Sequence, residues 1–134
     1  MNDGMGEYVA QQVIKLMLKK GIQVLGSEIL ILGFTFKENC PDVRNTKVID
    51  IIKALKEYNV NITVYDPWAN PAIARREYGI EVANALPEVK FDACIAAVAH
   101  KKFEELNVIS LLAPKHIIFD VKAVRNRTEV DGRL

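Results

Sequence analysis

The sequence has 134 residues, half of them hydrophobic, with 18 Lys+Arg against 17 Asp+Glu for a formal charge of +1. That length supports one globular core without metal or disulfide staples, and the balanced charge offers no blanket attraction for nucleic acid or an anionic membrane. Two distant cysteines, Cys40 and Cys94, with no Cys or His at metal-ligand spacing, exclude a disulfide framework and a zinc site and suit a reducing cytoplasm.

In chain order, Met1-Asn2-Asp3-Gly4 lacks the layout of a signal peptide, and no run nears the ~18 apolar residues of a membrane span, so a soluble, unexported product is expected. From Met5 to Lys20 two apolar stripes recur at helical spacing, one through Val9, Val13 and Met17 and one through Ala10, Ile14 and Leu18. Their combined arc is wider than a helix on a single surface needs. Either the helix lies deep in its own core, or a second partner, another subunit or a further part of a longer protein, covers one stripe.

The run Glu28 to Phe34 is continuously apolar, as in a strand covered on both faces. Val48, Ile51, Ile52 and Leu55 predict a helix from Asn45 to Tyr58, capped by Asn45 or Thr46. A strand is expected at Val60 to Tyr65, a short helix at Asn70 to Tyr78 and a buried strand at Phe91 to Val98. Phe103 to Leu112 reads as a helix broken near Asn107 and stopped by Pro114, followed by a last strand at His116 to Val121. The polar tail from Arg125 to Leu134 is expected to fray. Strands alternating with helices predict an α/β fold, a Rossmann-like open parallel sheet with helices on both faces, preceded by a long N-terminal helix.

In such a sheet the ligand crevice lies beyond the carboxyl ends of the strands. The loop after the first strand, Gly33 to Arg44, holds a single glycine, so it cannot offer the close backbone approach of a dinucleotide fingerprint, and NAD binding by this domain is not expected. Lys37 and Arg44 near a helix start suit an anionic phosphate; the plainer alternative is a solvated Lys37 and an Arg44 paired with Asp42. Asp66, beyond the second strand, lies too far from Gly33 for the usual ribose acid and reads first as a turn or capping residue, and Trp68 reads first as a cover for the sheet edge, the alternative being a ring that stacks on a base. Lys122 leaves the last strand on the same rim as Lys37. His100, beside Lys101 and Lys102, stands nearest the strand-order reversal and reads first as a helix-start residue. Cys94 should be buried and inert; Cys40 sits among charges without a nearby histidine. No nucleophile-base arrangement, phosphate loop or paired-carboxylate spacing is present, so no catalytic residue and no metal ligand is nominated.

Ile31-Leu-Gly-Phe-Thr-Phe-Lys37, Asp42-Val-Arg44, Val64-Tyr-Asp-Pro67 and Phe119-Asp-Val-Lys122, four blocks in one order, closely resemble the C-terminal, UDP-binding domain of the UDP-glucose/GDP-mannose dehydrogenase family. The wording from Thr35 to Asp42 is most similar to members that oxidise UDP-N-acetylhexosamines for capsule or lipopolysaccharide sugars. The resemblance implies two domains: residues 1–26, the end of a central helical domain, and residues 27–134, a UDP-sugar-binding α/β domain. It implies a two-step NAD-dependent oxidation of a sugar C6 alcohol to a carboxylate, with the reactive cysteine and the NAD site in segments preceding Asn2 and this chain inactive alone. Phe36 and Lys37 match residues that approach the nucleotide-sugar, Arg44 a recurrent arginine that shapes the loop and reaches phosphate, and Lys122 a basic residue that contacts UDP. A lysine at position 122 keeps the charge of the arginine seen in some members but loses its bidentate geometry. A homodimer through the N-terminal helix region is expected. The alternative from another class is a stand-alone binding or scaffolding module.

Overall fold

A computed structural model describes residues 4–44, 46–123, 125 and 127–134. The chain opens with helix α1 (Met5–Lys19), then strand β1 (Glu28–Leu32), helix α2 (Val48–Lys56), β2 (Asn61–Tyr65), α3 (Pro71–Tyr78), β3 (Val82–Ala83), β4 (Phe91–Ala96), β5 (Leu112–Asp120) and β6 (Gly132–Arg133). Among the described residues the six strands form one sheet in the order β3-β2-β1-β4-β5-β6, every pair parallel. The order reverses between β1 and β4, which places the ligand crevice of an open α/β sheet beyond the carboxyl ends of those strands.

Alternation along the central strands divides the core in two. Ile29 and Ile31 of β1, Ala93 and Ile95 of β4 and Ile117 and Phe119 of β5 face the three α-helices. Leu30, Leu32, Cys94 and Ile118 face the other side, where Phe103 and Val108 cover them. The expected helices on both faces are therefore α-helices on one and two short 3-10 helices, Lys101–Glu105 and Val108–Leu111, on the other. The expected break near Asn107 is the gap between these turns. Pro114 does not stop a helix: it lies within β5, where the register with β4 skips from Phe91↔Leu112 to Ala93↔Ile117. That bulge spares the strand the ladder N–H that proline lacks.

Both apolar stripes of α1 are covered within the chain: Val9, Val13 and Met17 and also Ala10 and Ile14 are buried, while Leu18 is exposed. Helix α1 packs on α2 at Gly6, where a Cβ would stand 2.6 Å from Asp50, and it also touches β5 and β6. Of the two expected caps for α2, Asn45 lies outside the described residues, as do Asn2 and Asp3, and Thr46 is not the cap: that position is Lys47, without a side-chain cap, while Thr46 Oγ1, one residue earlier, accepts the Val48 N–H at 3.2 Å. The tail does not fray. Asp131 accepts the Ile118 N–H at 2.7 Å and pairs with Lys20 at 2.8 Å, and β6 joins the sheet edge beside Phe119. None of the helices, among the described residues, is long and apolar enough to cross a membrane.

Candidate functional site

The loop after β1 is shaped by Asp66, which leaves β2 beside it. Asp66 is completely buried, and both its oxygens are saturated. Oδ2 accepts the N–H groups of Phe34 (2.7 Å) and Thr35 (3.1 Å) and the imidazole of His100 (2.9 Å). Oδ1 accepts those of Trp68 (2.7 Å) and Ala69 (3.2 Å). Burial pushes its carboxyl up, but hydrogen bonds from His100 and the Phe34 N–H, the attraction of the His100 ring once that is protonated, and the Trp68 N–H together hold it below its ordinary value. Asp66 is thus the turn-forming residue the sequence suggested, with no oxygen left for a ribose.

Asp120 repeats the device at the end of β5. Buried as fully as Asp66, it accepts Lys122 N–H (3.1 Å) and Ala123 N–H (3.0 Å) on Oδ1 and Arg125 N–H (2.7 Å) on Oδ2. Arg133 of β6 donates to the Ala123 carbonyl at 3.1 Å, so the tail braces the turn that presents Lys122. At the crevice itself Gly33 has φ +99°, and a Cβ there would lie 2.5 Å from the Val98 Cβ. The loops after β1 and β4 touch at that point because position 33 has no side chain.

Between the ends of β4 and β5 lies a cleft of about 330 Å³, lined among others by Ala99, His100, Phe103, Lys122 and Arg125. Its volume is at the lower end for small-molecule sites, and its walls combine apolar surface with two cations, Lys122 and Arg125, and three acids, Glu104, Glu129 and the turn-bound Asp120. Since β1 and β5 both flank β4 and run parallel, Lys37 and Lys122 leave the same edge of the sheet, as expected. Lys122 lines the cleft; Lys37 stands in the neighbouring loop, whose carbonyl at that residue accepts from Thr35 Oγ1 at 3.0 Å. Phe36 is half-exposed in that loop, its N–H donating to the Asp42 carbonyl at 2.7 Å. Arg44 is not brought to the cleft: its guanidinium is on Asp42 at 3.1 and 3.3 Å, at the surface, raising its own pKa and lowering that of Asp42.

Sequence reasoning did not nominate Arg125, three residues beyond Lys122, nor the pairing of His100 with Asp66. His100 does begin a helix, the 3-10 turn Lys101–Glu105, as expected. Trp68 is partly exposed, its ring 6.4 Å from that of His100, and lines a second groove with Lys101 and Lys102. Cys94 is buried and its thiol is pushed up to about 12 by burial, an inert group. The residues at the crevice do not fit a dinucleotide: one glycine, closed against Val98, replaces the glycine-rich turn, and the acid beyond β2 is saturated.

Fold and cleft together define a Rossmann-like α/β domain that gathers fixed backbone turns and cations beyond its strand ends. The chain belongs to the UDP-glucose/GDP-mannose dehydrogenase family, matching its UDP binding domain over residues 30–127. It is 45% identical over 137 residues to the UDP-N-acetyl-D-glucosamine 6-dehydrogenase of Salmonella typhi, covering 100% of this chain and 32% of that protein. It is 42% identical over 133 residues to protein CapL of Staphylococcus aureus, covering 98% and 31%. The chain therefore spans about a third of the length of these relatives. In fold it is similar to the NDP-N-acetyl-D-galactosaminuronic acid dehydrogenase of Methanosarcina mazei Go1, with a TM-score of 0.81 at 21% identity over 93% of this chain and 26% of that one. The UDP-D-ManNAc dehydrogenase of Pyrococcus horikoshii gives a TM-score of 0.71 at 17% identity over 95% and 30%.

Proposed function

We propose that this chain is the part of an NAD-dependent UDP-sugar 6-dehydrogenase that holds the UDP end of the substrate. The observation that carries the reading is the cleft beyond β4 and β5, where Lys122 and Arg125 stand on a turn fixed by Asp120. Two cations on a fixed backbone turn suit a diphosphate, since only their side chains remain to be ordered on binding. Lys37, on the adjacent loop, and the exposed ring of Phe36 are assigned to the nucleotide-sugar, and Arg44, held on Asp42 outside the cleft, is assigned to shaping the loop. Binding energy gathered at this remote end would position the sugar C6 for chemistry performed elsewhere.

In this reading residues 1–26 close a central helical domain and residues 27–134 form the UDP-sugar-binding domain. Other segments of a cytoplasmic homodimer, joined near α1, supply NAD, the reactive cysteine and hydride transfer, and the chain alone oxidises nothing. The similarity to a UDP-N-acetyl-D-glucosamine 6-dehydrogenase supports an N-acetylhexosamine as the sugar, and the likeness to CapL supports a role in surface polysaccharide synthesis. Calorimetric titration of the chain with UDP tests the reading. Binding is expected, and Lys122→Ala is expected to weaken it about tenfold, the loss of one charge-assisted contact. Unchanged affinity in both Lys37→Ala and Lys122→Ala would overturn the assignment.

A further inference from the structure

A buried pair of titratable groups, Asp66 and His100, joins the Lys37 loop to the cleft, and the binding reading leaves its histidine without a task. Both side chains are wholly inaccessible to solvent. The hydrogen bonds around His100 allow one assignment of protons. Asn39 donates its backbone N–H to Nδ1 at 2.8 Å, so Nδ1 is bare. Nε2 must then carry the hydrogen, directed at Asp66 Oδ2 at 2.9 Å and Thr35 Oγ1 at 3.1 Å. Thr35 spends its own hydroxyl hydrogen on the Lys37 carbonyl at 3.0 Å, leaving its lone pairs to face Nε2–H. His100 is therefore neutral here, and it grips the loop at both ends, at Thr35 and at Asn39, with Lys37 between them. Asn39 Oδ1 in turn accepts the Lys101 N–H at 2.9 Å, tying the far end of the loop to the turn that His100 begins.

We propose that His100 is a positioning residue for Lys37, a latch that holds the 35–39 loop while neutral and lets go of Asn39 when Nδ1 takes up a proton. A proton on Nδ1 sets two N–H groups face to face, so that bond must break, while the bond from Nε2 to the Asp66 carboxylate gains strength from the new charge. Acid thus tightens His100 on β2 and frees the loop from it. Asp66 faces the imidazole from β2. From its own 3-10 turn come Lys101, exposed, and Glu104; from the β1 loop, Lys37 and Glu38, both exposed. Across the cleft stand Asp120, Lys122, Arg125 and Glu129, and Asp120 is held by the backbone of its own turn. An anion that needs Lys37 held in place binds the latched loop better than the released one, so through the loop ligand and proton oppose one another.

The consequence for ligand affinity rests on the UDP reading; the latch itself does not. The 134-residue chain is followed by NMR from about pH 8 to about pH 5, reading the His100 ring nitrogens and the hydrogen-exchange protection of the Asn39 amide. The expected result is the Nε2–H tautomer at the upper end and an Asn39 protection factor that falls about tenfold in step with protonation of His100. UDP-N-acetylglucosamine, whose diphosphate has no titrating proton in this range, is expected to bind about fivefold more weakly along the same curve. His100→Asn puts an untitratable oxygen at the place of Nδ1 and is expected to make both curves flat. His100→Gln keeps a donor for Asp66 but no acceptor for Asn39, whose amide is expected to be unprotected at every pH. Asn39 protection that ignores His100 protonation in the unaltered protein overturns the latch, whether or not the variants fold. A latch that opens as described in a chain that binds no UDP-N-acetylglucosamine at any pH upholds the latch and refutes the UDP reading.

Discussion

Asp66→Asn changes one oxygen into an NH2 group and nothing else in shape, yet five donors converge on that carboxylate. Whichever way the amide turns, its NH2 confronts either Trp68 N–H and Ala69 N–H or the three donors at Oδ2. Taking the better orientation, two buried N–H groups are orphaned at about 2 kcal/mol each, so the variant loses about 4 kcal/mol. Against the 5–15 kcal/mol by which domains are usually stable, that is roughly a quarter to four-fifths of the total. Thermal unfolding should register it as a drop of about 12–16 °C in Tm. Acid supplies an internal control. Although burial pushes the Asp66 carboxyl up, its bonds to His100, Phe34 and Trp68 hold the folded value below the ordinary 3.8. Their stabilisation is complete above that ordinary value and disappears as pH falls through the lower, folded one. The gap between wild type and Asp66→Asn in urea midpoint should therefore persist at every pH above about 4 and close as pH falls below it. A loss under about 1 kcal/mol at neutral pH would refute the idea that this carboxylate organises the loop.

Gly33→Ala should destabilise by more than the ~1 kcal/mol of an ordinary glycine replacement, because φ is +99° and Val98 blocks the new methyl; denaturant unfolding checks this. Deleting residues 131–134 removes the Asp131 contacts to Ile118 and Lys20 and the Arg133 brace on Ala123, so a lower Tm is expected together with faster amide exchange at Lys122 and Ala123. In the native protein a thiol reagent should label Cys40, which is partly exposed, and spare Cys94 until denaturant is added, as mass spectrometry of the labelled peptides will show.

The architecture was legible wherever burial imposes a period. The continuous run of β1 and the spacing of Val48, Ile51, Ile52 and Leu55 in α2 leave little choice of structure. Periodicity failed where the backbone alone makes the structure. The segment 101–111 carries a helical apolar pattern but folds as two 3-10 turns, since Phe103 and Val108 need only to reach the sheet. The tail is polar because β6 sits at an edge and is held through Asp131 and main-chain bonds, which leave no apolar signature. The rim followed from parallel topology, which sends Lys37 and Lys122 out of the same edge. The Asp66–His100 pair did not, for its members are 34 residues apart. The signal available was topological: two polar residues at the ends of β2 and β4, separated in space only by the loop after β1.

In the proposed function, cations on the loops after β1 and β5 share one diphosphate. Amide chemical-shift mapping of the isotope-labelled chain during titration with UDP tests it most directly. The largest shifts are predicted in residues 33–40, 96–101, 120–123 and 125, bounding a single patch at the carboxyl ends of β1, β4 and β5. Saturable shifts centred on α1, or on the groove beside Lys20 and His116, with this patch silent, would contradict it.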